Sequence, residues 1–276
     1  MTTTDRPTPM YDRAALMRGV PTRKIEWPRA RRALQALIAD PERTDQVFEI
    51  VRALSGRTDV RNFARLLDEP DGPRLLTERP DLLAVLDDRE ALARLPEGSL
   101  GRAYLAFMIA GDLTAGGLVD ASMQGDTDAR MGYSVESTWF FDRLRDMHDV
   151  WHVLTGYGRD EAGEAANLAF TFGQIGNYGI GLIVLAAAAL GPRSDRFYWQ
   201  RYLFRAWRRG RRARWLPAVC YEKLLALPLA EARARLGIDA PEVAHPEGVM
   251  VANRDDLSPT EKARLGRALG EATASR

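Results

Sequence analysis

His148-Asp149-Val150-Trp151-His152-Val153-Leu154-Thr155-Gly156-Tyr157-Gly158-Arg159-Asp160-Glu161-Ala162-Gly163-Glu164 reads as a helix, a glycine-marked turn and the start of a second helix. On a helix, His148 and His152 stand one turn apart and about 40° apart in azimuth, with Asp149 about 60° to one side of His152. Three ligand-type side chains therefore share a face, and Glu164 follows where a tight turn can carry it back toward them. The chain has three histidines, and two of them coincide here. The pattern outlines a divalent-metal site. An HxxxH spacing alone is also common in ordinary surface and core helices, so the added weight comes from the intervening carboxylate and the following glutamate.

Outward from this stretch the chain keeps helical period, and almost nothing alternates as a strand does. The helix bearing the histidines is expected to start near Ser137, with Phe140, Leu144, Met147 and Trp151 on its apolar face; Glu161 begins a long helix to Leu190. Upstream, Trp27-Pro28 opens a helix that Asp40-Pro41 closes. Thr44 is expected to cap a second ending at Gly56, and Asp59 to Leu67 makes a third. Prolines and short leucine-rich turns fill Pro70 to Gly98. Ser99 then caps a helix turning Leu100, Tyr104, Phe107 and Met108 inward, and Gly116 to Tyr133 is a Gly-rich connection. Downstream, helices are expected over Ser194 to Arg212, Leu216 to Leu225, and Leu229 to Leu236 ending at Gly237.

The economical architecture is all-α: a single multi-helix domain over residues 27–240 with a metal site between two helices. Residues 1–26 form a flexible N-terminal segment, and 241–276 a loop and weakly amphipathic tail. Its 276 residues, 46% hydrophobic and 28% charged, suffice for a full core. Lys+Arg at 39 against Asp+Glu at 38 leaves no global basic field, so no nucleic-acid partner is expected. A single cysteine, Cys220, excludes an internal disulfide framework and reads as a small buried residue. The N-terminal stretch has neither a secretory core nor an amphipathic transit pattern, which points to the cytoplasm. The apolar run Gly179 to Leu190 is too short to span a bilayer, though the protein could lie on one.

Three familiar metal chemistries do not fit. Position 149 is Asp, so the zincin motif is absent. No histidine precedes His148, as the His-Asp phosphohydrolases require. Di-iron bundles need a Glu-x-x-His on each of two helices, and Glu242-x-x-His245 is one copy bracketed by prolines in a loop. Two imidazoles and two carboxylates suit zinc, manganese or iron.

The block His148-Asp149-x-x-His152, eleven residues, then Glu164 resembles the HDxxH-x11-E signature of the ubiquinone (coenzyme Q) biosynthesis family, that of the fourth coenzyme Q biosynthesis protein. Asp40-Pro-Glu-Arg-Thr-Asp-Gln-Val, Leu95-Pro-Glu-Gly-Ser-Leu-Gly-Arg-Ala-Tyr and Thr155-Gly-Tyr-Gly-Arg-Asp-Glu-Ala-Gly-Glu also look like family blocks, and the resemblance covers about residues 30 to 238. It implies a zinc-type ion, with iron or manganese as alternatives, held by His148, Asp149, His152 and Glu164 on an all-helical fold peripheral to a membrane. It implies oxidative decarboxylation of a polyprenyl-hydroxybenzoate, ring carboxyl to hydroxyl, or a non-catalytic scaffold that organises the quinone enzymes around a structural metal. Asp149 or Glu164 could leave the ion to make room for substrate. The expected partners are a polyprenylated quinone precursor, other ubiquinone-biosynthesis enzymes and a membrane surface, with homodimer formation left open. The expected location is cytoplasmic, on the inner face of the cell membrane.

Two further features invite a lipid reading. Gly173, Gly176 and Gly179 recur at intervals of three; close helix packing is the commoner consequence, and a groove for an isoprenoid tail the sharper one. From Arg196 to Arg212 basic and aromatic residues interleave, first as a helix packed on the core with a solvated basic face. The second reading is interfacial, with Trp199, Tyr202, Arg205, Trp207 and Arg208 meeting the membrane. Tyr157 and Arg159 either shape the turn or touch substrate, and His245 is a loop residue.

Overall fold

The structure, a computed structural model, describes residues 12–40, 43–111, 113–116, 131–190 and 196–239. They form α1 (Arg13–Arg18), α2 (Trp27–Ala39), α3 (Thr44–Ala53), α4 (Thr58–Asp68), α5 (Gly72–Glu78), α6 (Leu82–Asp87), α7 (Arg89–Arg94), α8 (Leu100–Ala110), α9 (Val135–Asp146), α10 (His148–Thr155), α11 (Glu161–Ile175), α12 (Tyr178–Leu190), α13 (Arg196–Arg212) and α14 (Leu229–Leu236). Among the described residues there is no strand, and no helix is long and apolar enough to cross a membrane. The expected all-α class is what is found. Within the 1–26 segment, Arg13–Arg18 is helical, capped by Asp12. Most of the Gly-rich connection (117–130) and residues 240–276, including the expected C-terminal loop and tail, lie outside the described residues.

Several boundaries follow local chemistry. Pro28 sits in the first turn of α2, where its missing N–H costs nothing, and Ser99 Oγ accepts from the Arg102 N–H to open α8. Gly237, in the left-handed region at φ 63, closes α14. α3 begins at Thr44 itself, with Arg43 in the cap position. Leu216 to Leu225 holds two 3-10 turns, Leu216–Ala218 and Tyr221–Lys223, rather than one helix.

Two expected long helices are each broken. The helix bearing the histidines starts earlier, with Ser134 as its cap, and is interrupted at Met147, which separates α9 from α10. The expected helix from Glu161 to Leu190 is two. Gly176, left-handed at φ 61, ends α11, and Asn177 Oδ1 accepts from the Gly179 N–H at 2.7 Å to start α12.

The main core gathers α6–α8, α10, α11, α13 and residues 216–238 around Trp151, Phe170, Tyr104 and Tyr221. Trp151 Nε1 donates to Tyr221 Oη at 2.8 Å, satisfying a buried donor. α11 and α13 cross in closest contact: a Cβ at Gly173 would lie 2.5 Å from the Trp207 carbonyl oxygen, and Gly210 meets the Phe170 carbonyl in the same way. Gln174 locks the crossing, its Nε2 donating to the Gly210 and Arg214 carbonyls at 2.6 and 3.2 Å while its Oε1 accepts from the Leu216 N–H at 2.7 Å. Ala30, Ala33, Ile50 and Ile183 seat the α2–α3 pair against α12. The outcome is a fixed α11, whose first turn faces α10.

Candidate metal centre

Glycine and aspartate set the corner between α10 and α11. Gly156, at φ 78, ends α10, and its N–H donates to the His152 carbonyl at 2.8 Å. Asp160 opens α11, its Oδ1 accepting from the N–H groups of Ala162 and Gly163 at 3.1 and 2.9 Å. Backbone of Gly158 fills the space a side chain on Gly163 would need. This reversal puts Glu164 in the first turn of α11, beside His148 and His152.

The three donor atoms form a triangle. His152 Nε2 lies 3.1 Å from His148 Nε2, and Glu164 Oε2 lies 3.5 Å from His148 Nε2 and 3.3 Å from His152 Nε2. Ligands about 2.0–2.1 Å from zinc at the corners of a tetrahedron stand about 3.3 Å apart, so the triangle has the size of one tetrahedral face. The residues present therefore fit a small divalent ion. His152 is 1% exposed, His148 25% and Glu164 42%, so the triangle is anchored in the core and opens to solvent at Glu164.

The ring of His152 is held from two sides. Phe107 stacks on it at 5.5 Å between centroids. His152 Nδ1 lies 3.1 Å from the Tyr157 carbonyl, which can only accept, so the proton sits on Nδ1 and the Nε2 lone pair faces the triangle. Tyr157 is in turn fixed by Tyr202 and Arg209 of α13, at 6.0 and 5.0 Å from its ring. Of the two readings for Tyr157, it shapes the turn. The Arg159 guanidinium lies over Phe107 at 5.1 Å. Sequence reading identified Phe107 as a core residue and missed its place beside the histidine, and a backbone carbonyl leaves no signal in the side-chain pattern.

Charge at the triangle is coupled. Burial disfavours the imidazolium of His148, but the hydrogen bond to Glu164 and the charges of Glu164 and Asp149 outweigh it and raise the pKa. Burial likewise favours a protonated Glu164, yet the two histidines overcome it and hold the carboxyl well below the usual carboxylate range. Without an ion the site is thus a carboxylate paired with the His148 proton, which a divalent cation would replace.

Asp149 is not among the three converging ligands. Adjacent helix positions lie about 100° apart, so Asp149 leaves α10 in a different direction from His148, which turns to Glu164. The Tyr104 phenol is raised by burial first and by the Asp149 charge next.

Of the two readings of Gly173, Gly176 and Gly179, close packing is what is found, and the groove is set aside. Gly173 abuts the backbone of α13, Gly179 abuts the Ile50 carbonyl and Val51 of α3, and Gly176 is the left-handed cap facing Arg61. For the Arg196–Arg212 helix the first reading, packing on the core, is what is found, and the second is corrected: Trp199 and Tyr202 are buried against the core and Trp207 and Arg205 half-buried, leaving Arg208 exposed. The outer stripe of α13 is Phe197, Arg201, Phe204 and Arg208, all exposed. Cys220 is partly exposed rather than buried, its Sγ 3.4 Å from Glu222 Oε2. His245 and the Glu242-x-x-His245 motif lie outside the described residues.

Fold and triangle define an all-helical protein with a two-histidine, one-carboxylate candidate metal centre at the junction of consecutive helices. Residues 29–242 match the family described as Coenzyme Q (ubiquinone) biosynthesis protein Coq4, and the chain belongs to that family. It is 29% identical over 216 residues to the zebrafish (Danio rerio) "Ubiquinone biosynthesis protein COQ4 homolog, mitochondrial", covering 76% of this chain and 74% of the relative. The Pyrenophora tritici-repentis protein, named "Ubiquinone biosynthesis protein coq4, mitochondrial", is 30% identical, covering 73% of this chain and 68% of its own length. A crystal structure from Nostoc punctiforme PCC 73102, provisionally named a ubiquinone biosynthesis protein, shares the fold. Its TM-score is 0.57 at 21% identity, covering 79% of this chain and all of that one.

These names overturn the expected cytoplasmic location on the inner face of the cell membrane, since the zebrafish, Pyrenophora and Pyricularia oryzae relatives are all named mitochondrial. That expectation leaned on the reading of the N-terminal stretch and a lone cysteine.

Proposed function

We propose that this chain acts in ubiquinone biosynthesis by replacing the ring carboxyl of a polyprenylated hydroxybenzoate with hydroxyl, at a divalent ion held by His148, His152 and Glu164. The observation that carries this reading is the open triangle: four protein ligands close a structural site, whereas three leave a position for water or substrate. Zinc bound there would supply Lewis acidity, and iron would add redox chemistry toward dioxygen. In balance, carboxylate, dioxygen, two electrons from a separate reductant and three protons give phenol, carbon dioxide and water. Glu164, at the solvent side, is the ligand able to swing aside for substrate, and Asp149, outside the triangle and beside His148, is the carboxylate left to exchange a proton. His152, held by Phe107 and the Tyr157 carbonyl, keeps the fixed corner.

The polyprenyl tail implies contact with a bilayer. The Phe197, Arg201, Phe204 and Arg208 stripe, with Leu185 and Leu190 exposed on α12, supports this, because aromatic residues reach the acyl boundary while arginines meet phosphates. The other enzymes of the same route are the proposed protein partners.

The test is metal analysis of purified protein together with mass spectrometry of quinone intermediates in cells carrying His148→Ala or Glu164→Ala. Loss of bound metal with accumulation of the carboxylated precursor is expected. Unchanged metal content and quinone yield would defeat the proposal. Metal loss with normal turnover would assign the ion a bracing role in a scaffold.

A further inference from the structure

α11 carries a second polar feature that the triangle does not use. Asn167 and Thr171 follow Glu164 by three and seven residues, so both fall within about 60° of it on one helix face, about 4.5 and 10.5 Å further along the axis. Asn167 is fully buried, and among the described residues neither its amide nitrogen nor its amide oxygen has a hydrogen-bond partner. The Thr171 hydroxyl, on a residue 9% exposed, is unpartnered as well. Gln174, one turn on, has both ends of its amide satisfied by backbone. An unpaired amide is therefore not the rule for this helix, and native interiors rarely leave one.

The unpaired groups specify what they would accept. The Asn167 Nδ2 donates, its Oδ1 accepts, and the Thr171 hydroxyl does either. A group that both donates and accepts completes the set, as a phenolic hydroxyl does. A carboxylate would satisfy the nitrogen but face the amide oxygen with its charge, and α11 contains no lysine or arginine to offset it. Half-exposed Glu164 lies at the solvent end of this stripe.

We propose that Asn167, assisted by Thr171, binds the ring hydroxyl of the hydroxybenzoate, so that the ring's opposite end, bearing the carboxylate, is turned toward His148, His152 and Glu164. This rests on the substrate class proposed above. It makes Asn167 the residue that distinguishes a hydroxylated ring from a bare one and fixes which end meets the metal corner.

The test uses the full chain loaded with metal and two probes, 3-farnesyl-4-hydroxybenzoate and 3-farnesylbenzoate, which lacks the hydroxyl. Wild type is expected to bind the hydroxylated probe about tenfold or more tightly than the other. Asn167→Leu, close in shape and without polar atoms, is expected to abolish that ratio while metal content is unchanged and the melting temperature unchanged or higher. Thr171→Val reads the same ratio should the first variant not fold, and is expected to reduce it. A ratio retained in either folded, metal-loaded variant overturns the proposal and assigns the amide to an internal water. Equal binding of both probes by wild type overturns it too while leaving the substrate class standing, whereas binding of neither removes the substrate class itself.

Discussion

α11 presents two faces made of equally suggestive residues, and they do opposite things. Its glycine face, through Gly173, is consumed by backbone contact with α13. Its Glu164 face meets α10 at a solvent-open corner where two imidazoles and a carboxylate converge. The difference lies in what the neighbouring helix offers: α13 brings carbonyls into van der Waals contact, and α10 brings lone pairs. Small residues on a helix mark a site only where nothing packs on them, and here something does.

The largest effect that would break this contrast is at the crossing. Gly173→Leu drives a side chain into the Trp207 carbonyl and Arg211 amide and should cost upwards of about 3 kcal/mol, read as a lower urea midpoint or failure to fold. A glycine lining a groove would tolerate the change and lose only ligand affinity. A folded, stable Gly173→Leu protein that no longer binds a prenylated probe would restore the groove.

The two histidines sharpen the other side. His152→Ala removes a core ring stacked on Phe107 and should cost about 2–3 kcal/mol as well as the metal. His148→Ala, a quarter exposed, should cost less than about 1 kcal/mol yet lose the metal equally, measured by melting and by elemental analysis. Asp149→Asn should retain more metal than either, since its carboxylate stands outside the triangle.

What sequence conveyed and what it withheld divide along the same line. The Ser99 and Gly237 boundaries, Pro28 and the approach of Glu164 to the histidines follow from local rules acting within a few residues, and those were legible. Periodicity states which residues share a face but not which helix lies on it. For that reason core packing and a membrane face both stayed open for Trp199 and Tyr202, and close packing and a groove for the three glycines, until the neighbouring helices were in place. The Asp149 orientation was out of reach because azimuth does not fix a rotamer. The interruption at Met147 carried no signal either, since methionine is a good helix former.

pH distinguishes the metal-free corner from a merely packed one. The pKa of His148 is raised in the folded state, so the pair it makes with Glu164 contributes stability fully below the unfolded value of about 6.5 and loses it as pH rises through the folded value. Metal affinity runs the other way, rising over that same window as the proton leaves. Melting curves of metal-free protein and metal titrations across it should therefore slope oppositely, and parallel slopes would sink the coupling. The Arg143–Glu222 pair provides a control away from the triangle. Burial raises the Glu222 pKa, but its two hydrogen bonds from Arg143, at 2.7 and 2.9 Å, lower it more. Its contribution is present above the ordinary carboxylate range and is lost as pH falls through the lowered value, so the stability gap to Glu222→Gln should narrow in acid and stay flat near neutrality.

The smallest effect tests whether the corner depends on its local cap. Asp160 touches no ligand, yet it starts the helix that delivers Glu164, accepting from the Ala162 and Gly163 N–H groups. Asp160→Ala should cost about 1 kcal/mol, and because the frayed turn contains Glu164 itself, metal affinity should fall by about a fewfold in the same variant. Removing a comparable cap elsewhere, Ser99→Ala at the start of α8, should cost similar stability with no change in affinity. If both variants lose stability and neither changes metal binding, the corner is held by the α11–α13 crossing alone, and the two faces of α11 are then one rigid device rather than two independent ones.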